Sequence, residues 1–202
     1  LVAVRGNHES YHNLAVADDP CQRRDLPGVV VAVLDTSRDG QPNGSLSADQ
    51  LAWLDALGAE ADRPVLVFGH HPIWDAEHEE RRDTTFGLMP DPTEQLVATF
   101  VRRERLVGYF AGHTHRNRVV RVEQRPEVPF AEVACVKDYP GSWAEYRVFD
   151  GGILQVHRRI SDPESLAWSE KTRVLYRPLL DYVEYALGSL ADRCFAIPAT
   201  AP

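Results

Sequence analysis

The 202-residue chain is 44% apolar and 26% charged, enough for one domain with a sizeable core. Its net charge of −8 and pI near 5.5 argue against a nucleic-acid scaffold held by a basic face. No stretch approaches the roughly 18 apolar residues of a membrane span, and the widely separated Cys21, Cys135 and Cys194 suit buried thiols of a reducing, cytoplasmic compartment rather than a disulfide framework. A targeting segment upstream of Leu1 is left open.

In chain order, Leu1, Val2, Ala3 and Val4 read as the end of a buried strand running into Gly6-Asn7-His8-Glu9. Val29–Leu34 is a continuous apolar run, expected as a strand buried on both faces, and a turn-rich loop of Asp39, Gly40, Pro42, Asn43 and Gly44 follows. Ser47 and Gln50 have capping-box spacing, Leu46 and Leu51 can staple the helix start, and Leu51, Leu54 and Leu57 share a face that Gly58 is expected to help close. A strand over Val65–Phe68 delivers Gly69-His70-His71-Pro72. The charged stretch 75–91, with Glu77, His78, Glu79, Glu80, Arg81, Arg82 and Asp83, reads equally as a lid or substrate rim and as a mobile surface insertion.

A second helix is expected from an Asp91 cap, with Pro92 at its first position and a stripe of Leu96, Val97, Phe100 and Val101. A strand over 107–111 then brings in Gly112-His113-Thr114-His115. Strands are expected over 118–122, 130–136 and 145–156, the last broken by the hairpin signal Asp150-Gly151-Gly152. Leu179, Leu180, Val183, Leu187 and Leu190 predict a closing helix that either packs as a tail or mediates association.

Three apolar runs therefore end at a glycine followed by ligand-type residues. A lone histidine at a strand end is weak support for a site, and His12 and His157 are read as structural. The joint set of Asn7, His70, His113 and His115 is different, because imidazole nitrogens with an amide oxygen suit a borderline divalent metal. Gly6, Gly69 and Gly112 are expected to permit tight turns. On a loop, His113 and His115 can reach two adjacent ions instead of pointing the same way.

Gly-Asn-His-Glu, His-x-Pro and Gly-His-x-His, in this order, resemble the calcineurin-like metallophosphoesterase superfamily. Leu34-Asp35-Thr36-Ser37, Gly44-Ser45-Leu46-Ser47, Gln50-Leu51 and Trp53-Leu54 are similar to its branch of bacterial cyclic-nucleotide phosphodiesterases, and Gly69-His70-His71-Pro72-Ile73-Trp74 to a segment of purple acid phosphatases. The resemblance, good over about residues 1–120, implies an α+β, four-layer αββα sandwich, assigned to 1–176, with a helical tail over 177–202. It also implies phosphoester hydrolysis by a hydroxide shared between two divalent ions (Mn, Fe, Zn or Co) on a small-molecule substrate. Asn7, His70 and His113 would bind one ion and His115 the other. His8 would lie near the scissile phosphate as a transition-state stabiliser or general acid, Glu9 would orient His8, and His71 would support the ligands from behind.

The sequence departs from the family in containing neither Asp-x-His nor Gly-Asp. The expectation is an N-terminally incomplete sandwich whose exposed sheet surface favours poor solubility or a homo-oligomer. The alternatives are a non-catalytic metal-binding or partner-binding remnant and an acid-phosphatase-like monoesterase.

Overall fold

The computed structural model describes residues 2–17, 19–76, 80–82 and 85–198. Glu77, His78, Glu79 and Asp83 of the charged stretch lie outside them. Among the described residues, the larger of two sheets is built from β1 (Cys21–Leu26), β2 (Val29–Leu34), β3 (Val65–Phe68), β4 (Leu106–Ala111), β5 (Arg118–Val120) and β6 (Phe130–Glu132). Its spatial order is β1-β2-β3-β4-β6-β5. The four inner strands run parallel, and β1 and β5 pair antiparallel at the edges. Of the inner strands, β2, β3 and β4 read as unbroken apolar runs because both faces are covered.

Against one face lie α1 (Ala48–Glu60) and α2 (Pro90–Arg102), whose Leu51, Leu54, Leu57, Leu96 and Phe100 join Val30, Ala32, Val65, Val67 and Tyr109 in the main core. The opposite face, with Val29, Leu66, Val107, Phe110 and Ala131, packs on Ile153 and Ile197 of a second, antiparallel sheet. That sheet orders β7 (Ser142–Phe149), β8 (Gly152–Arg159) and β9 (Phe195–Pro198) side by side. Helices, mixed sheet and second sheet thus stack as successive layers of an α+β fold. Phe100 is fully buried between α2 and the sheet. Phe100→Ala is expected to cost about 3–5 kcal/mol, read as a lowered urea midpoint.

Both caps follow from local chemistry. Ser47 Oγ accepts the Gln50 N–H (3.2 Å), Gln50 Oε1 accepts the Ser47 N–H (3.0 Å), and Gln50 Nε2 donates to the Asp35 carbonyl (2.7 Å), tying α1 to the end of β2. Gly58 does not end this helix. It lies within α1, where a Cβ would come within 2.8 Å of Arg103 Cβ, so its role is close packing. The second helix begins earlier than Asp91 suggested: Met89 is the cap and Pro90 opens the first turn, where a missing N–H costs nothing. Val101 lies off the expected stripe and is exposed.

Three further expectations are corrected. Residues 2–5 form no strand, because no ladder pairs with them. Arg5 anchors the segment instead, donating to Asp35 Oδ2 (3.2 Å) and Ser37 Oγ (2.9 Å). β1 was not anticipated, because Gln22, Arg23, Arg24 and Asp25 give a charged run, the composition of a protected sheet edge. The single closing helix is replaced by α3 (Tyr182–Leu187), α4 (Leu190–Arg193) and β9. Gly188 divides α3 from α4 at φ +59, where a Cβ would lie 2.2 Å from the Asn117 carbonyl oxygen. No helix among the described residues is long and apolar enough to cross a membrane.

Candidate metal centre

The parallel strands β3 and β4 end side by side, so their following loops meet, and the Gly6-Asn7 turn lies against them. Gly6 and Gly69 do not adopt the left-handed backbone expected of tight turns. Both allow close approach: a Cβ on Gly6 would lie 2.8 Å from His70 Cε1, and one on Gly69 would lie 2.4 Å from the Tyr109 hydroxyl. Gly112 has open space where its Cβ would be. The left-handed positions are instead His113 (φ 67) and His115 (φ 58).

Three ligand-type atoms converge. His70 Nε2 lies 2.9 Å from Asn7 Oδ1 and 3.2 Å from His113 Nδ1, and His113 Nδ1 lies 3.1 Å from Asn7 Oδ1. One cation about 2.1 Å from each, with ligands at right angles, requires separations of about 3.0 Å. The triangle therefore fits three positions on one face of an octahedral ion. Burial pushes the His70 and His113 imidazoles down to about 4, so both are neutral near pH 7 with lone pairs available. Asn7 Nδ2 donates to Tyr11 Oη (3.2 Å), turning Oδ1 towards the histidines.

A layer behind the triangle holds it in place. The Thr36 hydroxyl accepts the backbone N–H groups of His70 and His71 (both 3.1 Å) and lies 2.9 Å from His71 Nδ1. With those two donors on its oxygen, Thr36 has its own proton left for His71 Nδ1. Burial pushes His71 down to about 3, and its ring packs against those of His70 and His113. Tyr109 Oη donates to the His71 carbonyl (2.6 Å). Phe86, from the described part of the charged loop, stacks on His113 with ring centroids 4.2 Å apart.

The 113–115 loop is fixed from the other side by Glu132, which is almost fully buried on β6. Its carboxylate accepts from Thr114 Oγ1 (2.6 Å) and bidentately from Arg116 (2.8 and 2.9 Å). Tyr185 Oη on α3 donates to the Thr114 carbonyl (3.0 Å), and the Ala186 carbonyl accepts both the backbone and side-chain N–H of Asn117 (3.0 and 2.9 Å). Thr36 entered the sequence reading only within Leu34-Asp35-Thr36-Ser37, with no role given to it, and Glu132 was not named in it.

The other expected residues lie as follows. His8 sits on a short helical turn, Asn7–Tyr11, with its ring exposed and edge-on to Tyr11. Glu9, expected to orient His8, instead accepts the Gly6 N–H through Oε2 (2.9 Å). That bond is the main reason its carboxyl lies below the usual range. It fixes the entry to Asn7. His115 is not a corner of the triangle: its Nδ1 lies 3.0 Å from Asp138 Oδ2, and the donor atoms of His115, Cys135 and Asp138 lie within 4.8 Å of one another. Cys135, read from the sequence as a buried thiol, is brought beside this loop.

A buried neutral histidine takes up its proton more readily in the unfolded chain. For His70 and His113, stability is complete above the ordinary histidine value of 6.5 and is lost as pH falls towards about 4. In chelator, the urea midpoint of the metal-free protein should fall between pH 7 and pH 5. A His70→Gln, His113→Gln double variant should flatten that decline, and an equally steep decline in the variant would contradict the assignment.

The stacked layers and strand-end loops are those of the calcineurin-like metallophosphoesterase fold. A solved dimetal phosphatase from Danio rerio shares it with a TM-score of 0.54 at 17% identity, over 69% of this chain and 57% of that one. The chain is 30% identical over 131 residues to a probable cyclic nucleotide phosphodiesterase of Fibrobacter succinogenes, covering 60% of this chain and 48% of that protein. It is 34% identical over 130 residues to another of that name from Rhodopseudomonas palustris, covering 57% and 45%. The chain spans about half the length of these curated relatives. No family model matches it.

Proposed function

We propose that the chain carries metal ligands of a phosphoester hydrolase that works with two divalent ions on a small phosphodiester. The observation that carries this reading is the triangle of Asn7 Oδ1, His70 Nε2 and His113 Nδ1, whose edges match one octahedral face. The two relatives named as probable cyclic nucleotide phosphodiesterases favour a diester of that kind. Asn7, His70 and His113 hold the first ion and His115 faces the second. Divalent ions bound there would neutralise phosphoryl charge and lower the pKa of water at the site.

The chain's own residues supply the rest. His8, exposed at the mouth beside Asn7, is free to hand a proton to the departing oxygen. Glu9 holds the Gly6 N–H and so sets the position of Asn7. Phe86 covers one face of His113 and shields the ligands from bulk water. The free thiols of Cys21, Cys135 and Cys194 suit a cytoplasmic setting.

Calorimetric titration with Mn²⁺ or Zn²⁺, alongside hydrolysis of bis-p-nitrophenyl phosphate and p-nitrophenyl phosphate, tests the reading. Turnover that favours the diester and requires metal supports it. Faster monoester turnover would make the protein a phosphatase. Metal binding without turnover would make it a non-catalytic metal-binding module, a reading favoured by the lack of Asp-x-His and Gly-Asp in the 202 residues. Failure to bind either ion would overturn both.

A further inference from the structure

His115 presents an asymmetry that the metal triangle does not explain. Its Nδ1 lies 3.0 Å from Asp138 Oδ2, and the Asp138 side chain is only 4% exposed against 32% for His115. An ionised carboxylate only accepts, so the ring nitrogen facing it must carry the hydrogen. In a neutral imidazole the other nitrogen then has the lone pair. We propose that Asp138 is the positioning residue for His115: by accepting the Nδ1–H it fixes the tautomer that leaves Nε2 as the atom offered to the second ion. This deepens the two-ion reading above and rests on it for what Nε2 meets.

Asp138 is itself built in. Its carbonyl accepts the Gly141 N–H (2.6 Å), its N–H points at Cys135 Sγ (3.4 Å), and the next residue, Tyr139, donates its N–H to Thr172 Oγ1 (2.7 Å). Lys137 Nζ donates to both carboxylate oxygens (2.7 Å each), giving the buried group a cationic partner. His115, left-handed at φ 58, swings its ring into this turn while Glu132 holds Thr114 and Arg116 on either side. Carboxylate, histidine and ion in series is the usual arrangement by which a protein orients a metal-binding imidazole.

The competing arrangement has His115, Cys135 and Asp138 all ligating one ion directly. It is disfavoured because both Asp138 oxygens are already engaged by Lys137, and because Cys135 Sγ already accepts the Asp138 N–H (3.4 Å).

Nitrogen-15 NMR of the histidine rings in the metal-free full chain, well above the ordinary histidine pKa, reads the tautomer directly. His115 is expected as Nδ1–H. Asp138→Ala should convert it to Nε2–H, and Asp138→Asn, which keeps an acceptor oxygen, should retain Nδ1–H. In Co²⁺ titrations Asp138→Ala should weaken the second class of ion about 10–100-fold and leave the first unchanged. An Nε2–H tautomer in the wild-type chain overturns the proposal, whatever the stability of the variants. So does a thiolate-to-cobalt charge-transfer band that Cys135→Ser removes, since Cys135 and Asp138 would then be ligands. A chain that binds one ion yet shows Nδ1–H refutes the two-ion reading while upholding Asp138's hold on the ring.

Discussion

His70→Ala should lower divalent-metal affinity by about 100-fold or more, since loss of a direct ligand exceeds the ~10–100-fold cost of losing an outer partner. His70 Nε2 is one corner of the triangle, 2.9 Å from Asn7 Oδ1 and 3.2 Å from His113 Nδ1, and the two donors left without it cannot rebuild the octahedral face. The loss also appears as stability. An ion at 1,000 times its dissociation constant stabilises the native state by about 4.1 kcal/mol, and after a 100-fold loss by only about 1.4. Melting with and without Zn²⁺ should therefore show a metal-induced shift in the wild-type chain that shrinks by roughly two thirds in His70→Ala. An unchanged shift would place the ion elsewhere. His70 is preferable to His113 for this test because alanine at φ 67 would add backbone strain.

The second large effect is expected at a residue that cannot touch the ion. Thr36→Val keeps the shape of the side chain and removes its hydroxyl. The backbone N–H groups of His70 and His71 and the His71 Nδ1 each lose a partner in a buried environment. At about 1–3 kcal/mol for each abandoned group, destabilisation of at least about 3 kcal/mol is expected. Metal affinity should fall too, because the His70 backbone loses the contact that fixes its position. Urea unfolding and calorimetry on the same variant check both. A loss below about 1 kcal/mol would mean that water or a rearranged backbone replaces the hydroxyl.

The ligands were legible in the sequence because the information is local: an apolar strand, a glycine, then an imidazole, at both His70 and His113. The groups that hold them are not local. Thr36 acts on His71 across 35 positions, and Glu132 on Thr114 across 18. Glu132 lies in no pattern that differs from an ordinary strand end, and the stretch Leu34-Asp35-Thr36-Ser37 marks a resemblance without marking what Thr36 will bond. Asp138 and Cys135 were invisible for the same reason, since only the left-handed turn at His115 brings that ring to them. The inner strands and α1 were legible through apolar runs and the Ser47–Gln50 cap. β1 was hidden by its charges. The chain terminus misled because leucines at helical spacing outweighed Gly188, whose positive φ and closeness to Asn117 appear only in three dimensions.

Ala186 and Tyr185 give the last stretch of polypeptide a second duty. The carbonyl of one and the phenol of the other clasp the backbone on which His113 and His115 sit, while β9 is woven into the small sheet beyond them. Trimming the protein before Tyr182 would thus loosen the histidine loop at a distance. An engineer seeking a smaller version should shorten some other part of the molecule first.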